Sequence, residues 1–92
     1  MMVRDLSEIR EEIDRLDKEI VSCYEQRMDL VRQVAAYKIA TGKQVLDSSR
    51  EKQKLETLGG LAKNDFDRQA VQEIFTQLMA ISRKSQYQML AA

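Results

Sequence analysis

A chain of 92 residues is one domain's worth of protein, and a core of that size is marginal without a metal, a disulfide or a partner chain. With no His and a single Cys, Cys23, neither a zinc or haem site nor an internal disulfide has anything to build from. Lys+Arg and Asp+Glu balance at 15 each, which excludes the broad basic footprint of a nucleic-acid or membrane-surface binder.

The N-terminus meets Arg4 and Asp5 at once, with no apolar leader, and no run is long enough to span a bilayer. A cytosolic protein is expected. Cys23 reads as a small core hydrophobe in a reducing compartment rather than as a nucleophile.

The first element starts near Leu6. Pro is absent and the first Gly is Gly42, so nothing stops a helix for about 36 residues. Apolar residues recur at Leu6, Ile9, Ile13, Leu16, Ile20, Cys23, Leu30, Val34 and Tyr37, the alternating three-and-four spacing of a coiled-coil-like seam. Asp5 or Ser7 suits the start and Gly42 the residue past the end. Such a helix is roughly 54 Å long, whereas a compact globule of this size is only about 30 Å across. The seam therefore outruns its own chain, and a second copy in a two-fold dimer is the expected cover.

After Gly42 a short joint leads to Asp47-Ser48-Ser49-Arg50-Glu51, where Asp47 or Ser48 can cap a second helix and Ser48 and Glu51 have capping-box spacing. That helix carries Leu55 and Leu58. Gly59 and Gly60 fall in its middle, costing about 1 kcal/mol each relative to Ala, so a bend or frayed turn is expected there. After a polar joint at Asn64-Asp65, Asp67 is the expected cap of a third helix with Val71, Phe75, Leu78, Ser82, Ser85 and Met89 along one stripe.

Polar residues on these apolar faces are the candidates for chemistry, because burying one unpaired costs several kcal/mol. Arg27 takes the seam position between Cys23 and Leu30. Lys38 follows eleven residues later, about 20° round the helix and roughly 16 Å along it, so the two cations share a face. Arg10 lies about 42 Å from Lys38, too far to share one small ligand within a chain. Ser82 and Gln86 form an i, i+4 pair on the third helix and look like a paired polar contact. Each has a bland alternative: a buried ion pair for Arg27, snorkelling for Lys38, mutual bonding for Ser82 and Gln86, and capping for Asp47 and Glu51 beside an ordinary surface Arg50.

Taken together, the segments Ile9–Asp17, Glu25–Leu30 with Lys38, Val45–Glu51, and Ser82 with Gln86 resemble the all-helical (type II) class of chorismate mutases. The resemblance covers nearly the whole chain. It implies a single domain over 1–92, all-α, with three helices per chain, one very long, intertwined as a homodimer. Chorismate would be isomerised to prephenate by a [3,3] (Claisen) rearrangement in phenylalanine and tyrosine biosynthesis, with no cofactor. Arg27 and the partner copy's Arg10 would bind the two substrate carboxylates, with Ser82 and Arg50 supporting them. Lys38 and Gln86 would contact the ether oxygen, and Asp47 and Glu51 the ring hydroxyl.

An isochorismate pyruvate-lyase on the same fold is the nearest alternative, although that branch generally lacks the acidic pair represented here by Asp47 and Glu51. A non-catalytic helical regulatory module is the alternative from another class.

Overall fold

The computed structural model describes residues 3–92; Met1 and Met2, the start of the expected 1–92 domain, lie outside the described residues. Three helices follow in order: α1 (Leu6–Thr41), α2 (Ser48–Gly59) and α3 (Asp65–Ala91). No strand occurs among the described residues, as the helical periodicity throughout the chain requires.

Helix α1 runs unbroken for 36 residues. At its start the Ile9 amide bonds the Asp5 carbonyl, and the Ser7 hydroxyl turns back to the Asp5 carboxylate. Gly42 ends it. This residue adopts a φ of +72°, where a Cβ would be strained, and the Lys43 amide reaches back to the Lys38 carbonyl in a Schellman-type closure.

The chain divides into two compact units, Met1–Leu30 and Val31–Ala92. In the first, Met28 is the only buried residue among those described. The seam residues Leu6, Ile13, Leu16, Ile20 and Leu30 are exposed, Ile20 by 65%. Cys23, expected in a core, is likewise exposed and free in the single chain. The polar side of this unit carries short-range ion pairs, Arg15 with Glu19 at 2.8 Å and Arg4 with Glu12 at 2.5 Å. The Arg4 hydrogen bond holds the Glu12 carboxyl below the usual carboxylate range.

In the second unit α2 packs along α3. Asp47 is the N-cap of α2, its Oδ1 accepting from the Arg50 amide at 3.1 Å, so the Ser48–Glu51 capping box is not formed. The cap frees Glu51 for a tertiary contact.

The glycine pair does not bend the middle of α2 but ends it. Gly59 is the last helical residue and Gly60 the C-cap, with its amide on the Glu56 and Leu58 carbonyls. Gly59 is buried because Gln72 of α3 crosses it so closely that a Cβ would lie 2.7 Å from Nε2. From there the Gln72 amide donates to the Leu55 carbonyl at 3.3 Å.

Helix α3 begins earlier than the sequence reading expects, with Asn64 rather than Asp67 as its cap. The Asn64 side chain accepts from the Asp67 amide at 2.8 Å and donates to the Asp67 carboxylate at 3.0 Å. Asp67 thus sits in the first turn, where a negative charge suits the helix dipole. The buried stripe of α3 is Met79, Ser82 and Gln86, one turn apart in each step, with Val71, Phe75 and Leu78 half-buried before it.

Candidate active site

Both early cations stand on α1 in the first unit, where Arg10 is exposed and Arg27 half-buried. The half-burial of Arg27 is what a cation on a seam position should show, since its aliphatic stem packs while its head stays polar.

The remaining predicted residues belong to the second unit. Lys38, in the last turn of α1, is half-buried and its Nζ donates to the Val45 carbonyl at 2.7 Å. This bond ties the helix end to the joint that delivers Asp47. An ammonium carries three donors, so two remain for another acceptor. A groove of about 480 Å³ opens beside it, lined among others by Gly42, Val45, Tyr87 and Leu90. Of the predicted site residues, this groove takes in Lys38 alone, so it is not the expected site as a whole.

Asp47 is exposed and occupied with capping, and Arg50 is exposed. Glu51 is different. One turn into α2 it pairs with Arg83 of α3, and both side chains are only about a quarter accessible, at 26% and 28%. The pair joins the start of α2 to the stretch of α3 that carries Ser82 and Gln86, so the structure brings Glu51 to that part of the chain. Sequence reading missed Arg83. Its partner is 32 residues away, beyond any helical spacing rule, and its one signal is its place between two polar residues on an apolar stripe.

Ser82 and Gln86 are both buried, at 6% and 7% exposure. The Ser82 hydroxyl donates to the Leu78 carbonyl at 2.8 Å, a frequent habit of Ser within helices. Gln86 Oε1 is buried with no hydrogen-bond partner. An unpaired buried amide oxygen costs about 1–3 kcal/mol, which sets Gln86 apart from the other buried residues of α3.

Among the described residues no cluster of His, Cys, Asp and Glu could hold a metal ion, and no helix is long and apolar enough to cross a membrane.

Compared with known families, residues 9–87 match the model of Chorismate mutase type II. The chain belongs to that family. Family membership makes it an isomerase, and it covers every residue named above from Arg10 to Gln86. The all-helical, three-helix architecture with one long helix agrees with the resemblance drawn from the sequence. Comparison with curated proteins and with solved structures returns no match.

Proposed function

We propose that the chain is a chorismate mutase domain that converts chorismate to prephenate within phenylalanine and tyrosine biosynthesis in the cytosol, working as an intertwined homodimer. The observation that carries this reading is the family match over residues 9–87, which contains the whole set of proposed site residues.

The reaction breaks a C–O bond and forms a C–C bond within one molecule and moves no proton. It calls for no acid, base, nucleophile or cofactor. What remains is to hold a compact conformer of a dianion and to stabilise charge that appears on the ether oxygen as its bond lengthens. Arg27 and Arg10 of a second copy bind the two carboxylates, since a guanidinium fork matches a carboxylate bidentately and offsets its desolvation. Ser82 and Arg50 support them. Lys38 and the Gln86 amide donate to the ether oxygen, where they stabilise the transition state more than the ground state. Glu51, with Asp47 behind it, accepts from the ring hydroxyl.

Two features support the dimer. The seam residues Leu6, Ile13, Leu16, Ile20 and Leu30 stay exposed in the single chain, more apolar surface than a lone helix keeps in water. Arg10 also precedes Lys38 by 28 residues in the chain, and the family resemblance has a second copy supply it to the shared ligand.

Incubating the purified protein with chorismate, and separately with isochorismate, tests the reading. Prephenate from chorismate and no turnover of isochorismate is expected. Release of pyruvate from isochorismate would favour the lyase reading, and inertness towards both would favour a non-catalytic helical module.

A further inference from the structure

We propose that Arg83 is a positioning residue for the ring-hydroxyl contact, holding the Glu51 carboxylate in place and leaving its second oxygen to accept from substrate. This rests on the reading of Glu51 given above.

Glu51 lies in the first turn and a half of α2 on a flexible side chain, and no capping bond restrains it, because Asp47 takes the cap and the Ser48–Glu51 box is absent. An acceptor that must meet one hydroxyl needs its rotamer settled in advance, or part of the binding energy goes into ordering it. Arg83 supplies that restraint from another helix. Its Nη1 binds Glu51 Oε1, in a pair screened from bulk water on both sides.

A carboxylate has acceptor capacity on both oxygens, so occupation of Oε1 leaves Oε2 available. Arg83 also follows the buried Ser82 directly and precedes the buried Gln86 by three residues. The same pair therefore anchors the start of α2 to the segment proposed to meet the ether oxygen.

The test compares chorismate with an analogue that keeps the allyl vinyl ether and both carboxylates but lacks the ring hydroxyl. Arg83→Met should lose about tenfold in kcat/KM on chorismate, the scale of one charge-assisted hydrogen bond, mostly through KM, and far less on the analogue. Arg83→Lys, which keeps the charge without the fork, should recover part of the loss. Glu51→Gln should discriminate between the two compounds in the same sense, and adding Arg83→Met to it should cost little more.

Equal losses on both compounds for Arg83→Met and Arg83→Lys would overturn the proposal in favour of a merely structural pair, as would unchanged kinetics. Should Glu51→Gln itself fail to discriminate, the hydroxyl role of Glu51 is wrong and the proposal falls with it. Should Glu51→Gln discriminate while Arg83→Met does not, the proposal alone fails.

Discussion

Replacing Lys38 with alanine should lower kcat for prephenate formation by about 10²–10³-fold, the usual effect of removing one preorganised donor from developing negative charge. The ammonium is restrained by the protein itself, since its bond to the Val45 carbonyl holds it at 2.7 Å. A donor fixed in advance needs no reorganisation as charge appears, which is the condition for a large effect on turnover rather than on binding. The same substitution also removes that structural bond, worth about 1.5–3 kcal/mol for a charged donor. Circular dichroism and a melting curve separate the two effects. A variant with intact helices, a modestly lowered melting temperature and a kcat down by orders of magnitude is expected. Near-normal kcat in a folded variant would remove Lys38 from the chemistry.

The second large effect belongs to the seam. Ile20 is 65% exposed in the single chain and lies midway along the exposed apolar row from Leu6 to Leu30. Under the dimer proposal Ile20→Glu would bury a carboxylate with no partner, and two-fold symmetry would repeat the lesion, at a cost of several kcal/mol each time. Native mass measurement should then show monomer at micromolar concentration, with reduced helicity and no detectable prephenate. The seam and the site are expected to fail together. A dimeric, fully active Ile20→Glu protein would place the interface elsewhere.

Helix α1 was legible in the sequence because a long stretch without Pro or Gly admits few alternatives, and Gly42 closes it where only a positive φ will serve. The ends of α2 and α3 were less so. Asp47, Ser48 and Glu51 offer two caps with the same residue types, and spacing cannot choose between them. Asn64 and Asp67 pose the same ambiguity, which the structure settles by having one cap and the other bond back to it.

Gly59 read as a weakness within a helix, whereas it is the clearance that lets Gln72 cross. Such clearance is a tertiary fact. Of the candidate site, the polar residues on apolar stripes were visible as anomalies of period, and Ser82 and Gln86 are indeed buried. Arg83 showed only by its place between Ser82 and Gln86, because an ion pair between helices leaves no mark on the spacing of either one.

Mixing two inactive variants tests most directly the claim that each site is completed by a second copy. Arg10→Ala and Lys38→Ala homodimers would each carry a lesion in both sites, whereas a mixed dimer gathers both lesions into one site and leaves the other intact. After unfolding and refolding together in equal amounts, the pair should recover about one quarter of unmodified activity, half the dimers being mixed with one good site of two. Activity that stays at the level of the separate variants, or an Arg10→Ala protein that is fully active alone, would contradict it.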